Sequence, residues 1–386
     1  MVVSLSGLIV TFLHVVTHSS QFKPEWIAVS LSSAIPYANA CLVNTLLAII
    51  IIFFAGNFLR DGYRQGGNSA LSARPFSNIE ELWGKTIGFL VLMLCLSLFL
   101  GVIAMFIHFF ESDSPFAFSP YVFYFFTLTC PALLFFTGLA TWVKGITRYP
   151  VLASILLLGV LSFFLDFGIE WFHGIFDVLA LTLPNTFSDF TGFTGMGDYL
   201  LQRSGFWAWG CGLIVLSVSY MDRIPNGAGS NFSTGKWGLG FVALGFIASG
   251  IFASTMIRRD RDREEAREVF VKYQPVLKAS VVEHDIEFTS EGFTCLVSSR
   301  LHLMNQNTRE MDSVILYLNP GLEVIKLTSG EKTLSFRRDN QVLILPLSLE
   351  PGERKEIGME FRGALSPAVC YPEIVNVDSV DRVLRR

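Results

Sequence analysis

The chain has 386 residues, of which 51% are hydrophobic and only 16% are charged. A soluble protein carries charges at about a quarter of its positions, so this composition excludes an ordinary soluble enzyme and indicates contact with lipid. The net charge of −4 gives no basic surface of the kind that binds nucleic acid, so we expect no nucleic-acid partner.

The charges are distributed unevenly along the chain. Residues 1–256 contain 10 Lys and Arg and 12 Asp and Glu, whereas residues 257–386 contain 19 and 21. This difference predicts a membrane domain at residues 1–257 and a water-soluble domain after it.

Long apolar runs predict about seven transmembrane helices, because crossing ~30 Å of hydrocarbon takes roughly 17–25 residues. The opening run has no basic region before it and no small-residue cleavage site after it, so we interpret it as a helix and not as a secretory signal. We therefore expect an all-α membrane bundle in contact with the lipid bilayer. The seven runs lie at about 1–17, 37–56, 87–109, 121–143, 150–168, 205–221 and 237–257.

Basic residues in the short loops predict the orientation of this bundle. The loops 57–86, 144–149 and 222–236 carry eight Lys and Arg, and the alternate loops carry two, Lys23 and Arg203. Loops rich in Lys and Arg stay in the cytoplasm. With seven crossings, the C-terminal domain then lies on the extracytoplasmic side of the membrane.

The last apolar run spaces small residues by four, at Gly245, Ser249 and Ala253. Such residues allow close approach of helix backbones in lipid. The pattern favours packing within the bundle, and a dimer interface is the alternative.

A charged stalk at 258–280 precedes a segment of strand-like periodicity at 281–386. Seven short apolar or alternating runs are separated there by turn sequences such as Asn319-Pro320-Gly321 and Pro351-Gly352-Glu353. This spacing predicts an all-β, antiparallel sandwich. The predicted strands lie at 281–289, 293–305, 313–319, 322–328, 332–338, 341–349 and 355–363.

The predicted cytoplasmic loop at residues 53–89 reads FFAGNFLRDGYRQGGNSALSARPFSNIEELWGKTIGF. This loop resembles the corresponding region in permeases of type-two ABC exporters. The resemblance rests on four features in order: a helix that ends in Arg-Asp, a polar connector, an Arg-Pro step and a Gly-Lys pair where the chain re-enters the membrane. The resemblance implies that this loop couples the membrane helices to a separate ABC ATPase subunit, and that the permease acts with a second permease half or as a homodimer. The coupling residues it implies are Arg60, Asp61, Arg64, Arg74, Pro75, Glu80, Glu81 and Lys85. The alternative is that the basic residues only anchor the loop in the cytoplasm.

A second polar group lies near the predicted outer end of the fifth crossing. Asp166, Glu170, His173 and Asp177 are spaced by 4, 3 and 4 residues, which places them on one face of a helix. The simpler interpretation is an interfacial helix with this face in water. The alternatives are a polar lining at the exit of a pathway and a site for a hard metal ion.

No complete catalytic or nucleotide-binding motif is present in the sequence. Gly84-Lys85 and Gly235-Lys236 resemble the end of a P-loop, but the glycine required five positions earlier is replaced by Ile79 and Ser230. Neither HExxH nor GxSxG occurs. We therefore expect no catalytic residue, no bound metal and no cofactor.

The β-rich segment resembles the N-terminal β-domain of gluzincin aminopeptidases, in the form that is fused to bacterial ABC permeases. The resemblance rests on VILYLNPGLEVIKL, LSFRRDNQVLILPL, LEPGERKEIGMEFRG and CYPEI. In that family a zinc domain follows, so the resemblance implies a fragment lacking the catalytic domain. The first hypothesis is therefore an exporter permease with an extracytoplasmic β-domain. The alternative is a membrane-anchored β-sandwich, a receptor or aminopeptidase accessory part without transport.

Overall fold

The structure is a computed structural model, and the residues that it describes form two compact units, Met1–Thr255 and Met256–Arg386. The described residues are 32–60, 78–111, 115–147, 149–165, 174–180, 187–189, 192–193, 195–218, 228–292, 294–330, 332–366 and 369.

The described part of the first unit is mainly helical. Four helical segments are long and apolar enough to cross a membrane, namely Ala34–Phe54, Leu82–Phe110, Phe118–Ile146 and Gly235–Tyr273. The prediction of a helical membrane protein is confirmed at this level, and the number of seven crossings stays a prediction because residues 1–17 lie outside the described part. The helices are α1 (Ala34–Arg60), α2 (Asn78–Glu111), α3 (Phe118–Tyr124), α4 (Cys130–Ile146), α5 (Pro150–Leu165), α6 (Gly197–Ser217) and α7 (Ala228–Tyr273).

Helix α2 shows how an apolar helix divides its surface between the bundle and lipid. Leu100 and Ala104 are completely buried, and they join the core of the helical unit. On another side of α2, Phe99 and Phe106 expose more than half of their surface. Because both surfaces are apolar, the outward one suits lipid chains and not water.

A π-helical turn, Phe125–Thr129, connects α3 to α4 without a break. Pro131 follows it in the first turn of α4. A proline ring has no N–H and clashes with the carbonyl four residues earlier, here that of Thr127. The wider π-turn accommodates this proline, and such turns occur frequently at functional sites.

The small residues of α7 allow close packing against α6 within the chain. A Cβ atom added to Gly245 would come to 2.2 Å from Cδ1 of Trp209, and one added to Gly205 would come to 3.2 Å from Oγ of Ser249. Gly250, beside this contact in sequence, meets nothing within 4 Å. The stripe at 245 and 249 therefore contributes to packing inside the bundle.

The second unit contains two antiparallel sheets. The five-stranded sheet has the order β3-β4-β10-β6-β7 and the three-stranded sheet the order β5-β9-β8. The predicted antiparallel β region is confirmed, and the predicted strand 332–338 is divided between β7 and β8. The strands are β3 (Ser280–Glu291), β4 (Thr294–Met304), β5 (Val314–Tyr317), β6 (Leu322–Ser329), β7 (Lys332–Thr333), β8 (Arg337–Asp339), β9 (Val342–Leu345) and β10 (Arg354–Gly363); the short pair β1 (Phe187–Ser188) and β2 (Gly192–Phe193) belongs to the first unit.

One apolar core contains residues from both sheets of the second unit. Leu301 of β4 is paired with Ile357 of β10, and both are buried with Leu343 of β9. The last turns of α7 also pack on this unit, where Val269 contacts Ile315 and Val342. The predicted charged stalk is therefore helical up to Tyr273.

Candidate functional site in the helical unit

Arg203 is the largest of the fully buried side chains in the described residues. It lies in the second turn of α6. Its Nη1 donates a hydrogen bond of 2.8 Å to the carbonyl of Val178, and Nη2 donates one of 2.5 Å to the carbonyl of Asp177. Nε donates to Oε1 of Gln202 at 3.2 Å. Main-chain and amide oxygens thus solvate the guanidinium, which meets the requirement that a buried charge be hydrogen-bonded.

The turn at residues 174–180 supplies these carbonyl groups. Gln202 donates to the carbonyl of Gly174 at one end of the turn. At the other end, Tyr37 of α1 donates its hydroxyl to the carbonyl of Ala180, and Sγ of Cys41 lies 3.7 Å from the same oxygen. Ala180 has a φ of 56°, a left-handed conformation that costs an alanine about 1–2 kcal/mol. Helices α1 and α6 therefore hold a strained turn between them.

Asp177 adds an acidic group to this cluster. Asp177 is 1% exposed, and its main-chain carbonyl accepts the hydrogen bond from Arg203. We call Tyr37, Cys41, Asp177, Gln202 and Arg203 the arginine cluster. Buried ionisable groups in a membrane protein are costly and are by default candidates for function.

A cavity of about 40 Å³ is lined by another side of α1, by α2, by α3 and by the π-turn. We call it the polar cavity. Its lining includes apolar residues such as Val43, Gly101 and Phe125. Five lining residues carry polar side chains, namely Asn39, Ser97, Tyr121, Tyr124 and Thr129. Ser97 is 4% exposed and Thr129 is 3% exposed. The cavity therefore offers hydrogen-bonding groups inside an otherwise apolar bundle.

Tyr121 connects the polar cavity to a buried histidine. Its hydroxyl lies 3.0 Å from Nδ1 of His108, which is 1% exposed near the end of α2. The same hydroxyl is adjacent to the amide of Asn39. Neither amide atom of Asn39 completes a hydrogen bond of normal geometry with the described residues. The amide is thus buried at the cavity and able to bind a further group.

The predicted coupling loop lies largely outside the described residues. Arg60 ends α1, Glu80 is exposed in the first turn of α2, and Lys85 is half-buried one turn later. The side chain of Glu81 lies outside the described part, as do Asp61, Arg64, Arg74 and Pro75. The structure therefore places the two helices that flank this loop and leaves its coupling role a prediction.

The second predicted polar group is described at one position. Asp177 lies in a turn and not in a helix, and it is buried and not in contact with water. Asp166, Glu170 and His173 lie outside the described residues, so the helix face that they would form stays a prediction.

The sequence patterns predict neither the arginine cluster nor the polar cavity. The apolar run that begins at residue 205 predicts an outer loop at Arg203, whereas α6 begins at Gly197. Asn39 and Asn44 interrupt an apolar run that we predicted to cross the membrane, and both are buried. Polar residues inside such a run were the signal that could have pointed to the cavity.

Comparison with protein-family models, with curated proteins and with solved structures finds no match to this chain.

Proposed function

We propose that the chain is the permease subunit of an ABC-type exporter that works with a separate ATPase subunit. In this proposal seven helices cross the cytoplasmic membrane of a bacterium, and the second unit is an extracytoplasmic β-sandwich. The chain itself provides no catalysis, and a second permease half or a second copy completes the pathway. The observation that carries the proposal is the polar interior of the helical unit, where Arg203 and Asp177 are buried and where polar side chains line a separate cavity beside α1.

The polar interior supports transport because a bundle that only anchors a domain gains nothing from it. A fully apolar interior packs well in lipid, whereas buried charges and amides cost free energy and mark pathways for substrates or ions. A single helix is also sufficient for an anchor, and four helical segments of this chain are long and apolar enough to cross a membrane. Both observations favour a permease over a membrane-anchored β-module.

The separate ATPase is supported by the sequence between α1 and α2. Arg60-Asp61, the polar connector, Arg74-Pro75 and Gly84-Lys85 resemble the coupling region of type-two exporters. The helices on either side of this connector are α1 and α2, and both line the polar cavity. An ATPase subunit bound to the connector would therefore act on two helices that form the wall of the polar cavity.

Charge reversal in the connector tests this proposal. The full chain is purified from membranes of its native host, and the ATP hydrolysis that accompanies it is measured with and without vanadate. We expect Arg60→Glu and Arg74→Glu to reduce this activity at least tenfold while the amount of inserted protein is unchanged, because like charges at an interface cost several kcal/mol.

Arg309→Glu is the matched control, since it reverses an exposed charge in the second unit. It should leave the accompanying ATP hydrolysis as in the wild type. Equal activity in all four proteins would make the connector a topological signal only and would contradict the proposal.

A further inference from the structure

We propose that the polar cavity is a binding site for a neutral amide group, as carried by a peptide or a carboxamide. The inference rests on the proposed function only in treating this ligand as a substrate, because the site and its test require no transport. The argument depends on the charge, the hydrogen-bonding groups and the size of the cavity.

The lining of the cavity favours a ligand without charge. The described residues that line it carry one amide and four hydroxyls as polar side-chain groups, and none of them is Lys, Arg, Asp or Glu. The arginine cluster contacts α1 through Tyr37 and Cys41, at the carbonyl of Ala180, whereas Asn39, Ala40 and Val43 of α1 line the cavity. A charged ligand would lose its hydration and gain no opposite charge, so it would be excluded.

The hydrogen-bonding groups favour an amide. Asn39 presents an oxygen acceptor and a nitrogen donor side by side. The Tyr121 hydroxyl is next to this amide, but neither amide atom forms a hydrogen bond of normal geometry with the described residues. An amide of a ligand offers the complementary donor and acceptor, so it can form two parallel hydrogen bonds with Asn39. The hydroxyl of Tyr121, held by His108 at 3.0 Å, adds a third polar contact at the same place.

The size of the cavity suits one such group. One water needs roughly 10–15 Å³ of space of this kind, so about 40 Å³ holds on the order of three waters. A single amide with its carbon substituent displaces about this number. The apolar lining from Val43 and Phe125 then receives the carbon atoms next to the amide.

Gly101 provides a way to close the cavity without disturbing the helix. It lines the cavity, and a Cβ atom added to it meets nothing within 4 Å. Gly88 lies on the same helix, is exposed, and also leaves an added Cβ atom without a contact within 4 Å. Gly101→Leu therefore fills the cavity, and Gly88→Leu is the matched control for a larger side chain elsewhere on α2.

The test uses the full chain in lipid nanodiscs and trifluoroacetamide as the probe. Binding is measured from the broadening of the fluorine NMR signal, in parallel with the isostere in which carbon replaces both polar atoms of the amide. We expect the wild type and Gly88→Leu to broaden the trifluoroacetamide signal in a saturable manner and the isostere signal at least fivefold less. Gly101→Leu and Asn39→Leu should each reduce the saturable broadening at least fivefold.

A thermal melt of each variant confirms that it is folded, and Gly101→Val replaces Gly101→Leu if the larger side chain unfolds the bundle. If Gly101→Leu or Gly101→Val broadened the trifluoroacetamide signal as much as the wild type does, the probe would bind elsewhere, and the proposal would be overturned. Equal binding of the isostere would show an apolar site, and no saturable binding to the wild type would show a cavity that holds water only. Each of these results leaves the ATPase experiment unaffected, so the two proposals fail separately.

Discussion

Nη1 of Arg203 donates a hydrogen bond of 2.8 Å to the main-chain carbonyl of Val178. The contact connects α6 to a turn 25 residues earlier in the chain. The same side chain binds the carbonyl of Asp177, so one guanidinium holds two consecutive peptide groups. The guanidinium can bind both carbonyls because its N–H donors lie in one plane at fixed angles. An ammonium group cannot reproduce this arrangement.

Replacement of Arg203 should therefore destabilise the helical unit even when a positive charge is kept. We expect Arg203→Met to lower the free energy of unfolding by about 2–6 kcal/mol, because it leaves two buried carbonyls without donors. Arg203→Lys should recover only part of this loss. Unfolding in mixed micelles, followed by tryptophan fluorescence, measures both variants. If Arg203→Lys were as stable as the wild type, the two-carbonyl geometry would have no energetic importance.

The contact between Gly245 and Trp209 predicts different effects at two neighbouring glycines of α7. Gly245→Ala should destabilise the unit by about 1–3 kcal/mol, because its Cβ atom would overlap the indole ring. Gly250→Ala should be neutral or stabilising by up to about 1 kcal/mol, since alanine favours helix and the position is open. Unfolding midpoints of the two variants test this. Equal effects would indicate that α6 and α7 do not pack through Gly245.

The strands of the second unit were largely predictable, because each turn carries its own sequence signal. Gly352 follows Pro351 and has a φ of 78°, a conformation that favours glycine. The exception is the predicted strand 332–338, which the structure divides between β7 and β8 of different sheets. Strand periodicity gives the faces of residues and not the sheet to which a short strand belongs.

The candidate site was not predictable in the same way. The burial of Arg203 depends on a turn that is distant in sequence. No local sequence pattern predicts which main-chain carbonyls will accept hydrogen bonds from a given side chain. The existence of the polar cavity likewise depends on how α1, α2, α3 and the π-turn pack together. The sequence did contain a partial signal at Pro131, because a proline inside an apolar run predicts a local change of helical geometry.

The orientation of the chain is tested at Lys332 in the second unit. Lys332 is exposed in β7, and the basic residues of the loops predict that it lies outside the cytoplasm. We expect Lys332→Cys, in a background without the native cysteines, to react with an impermeant maleimide in intact cells. Ser69→Cys, in the predicted cytoplasmic connector, should react only after lysis. The reverse pattern would invert the proposed topology.

The contact between α7 and the sheets predicts where an isolated second unit must begin. A fragment of residues 256–386 retains the hydrogen bond from Gln341 to the carbonyl of Ala266, at 2.5 Å, and the burial of Val269. A fragment of residues 270–386 loses both. We expect the shorter fragment to be less stable by about 2–4 kcal/mol, from a lost apolar side chain and a buried amide without its partner.

Urea unfolding of the two fragments, followed by circular dichroism, gives this difference. Gln341→Met is the matched variant, because it removes the amide in both fragments. It should narrow the stability difference between them. Equal stability of the unmodified fragments would show that the end of α7 contributes nothing to the fold of the second unit.

The pH dependence of the longer fragment should reveal the contact between α7 and β8. Nζ of Lys272 and the hydroxyl of Tyr273 donate to Oδ2 of Asp339, at 2.6 and 2.8 Å. These hydrogen bonds, that of Lys272 first, lower the pKa of the Asp339 carboxyl below its usual value. A carboxyl whose pKa is lower in the folded state stabilises the fold above its unfolded pKa of about 3.9, and this stabilisation is lost as the pH falls through the folded pKa.

Asp339→Asn should therefore lower the urea midpoint of the fragment at a pH of about 7, and the difference from the wild type should shrink as the pH falls below about 4. Glu360→Gln removes the same charge at an exposed position of β10 and controls for the change in net charge. Urea midpoints at several values of pH, measured by circular dichroism at one salt concentration, give both comparisons. A difference between Asp339→Asn and the wild type that stayed constant down to a pH of about 2 would mean that ionised Asp339 does not stabilise the contact with α7.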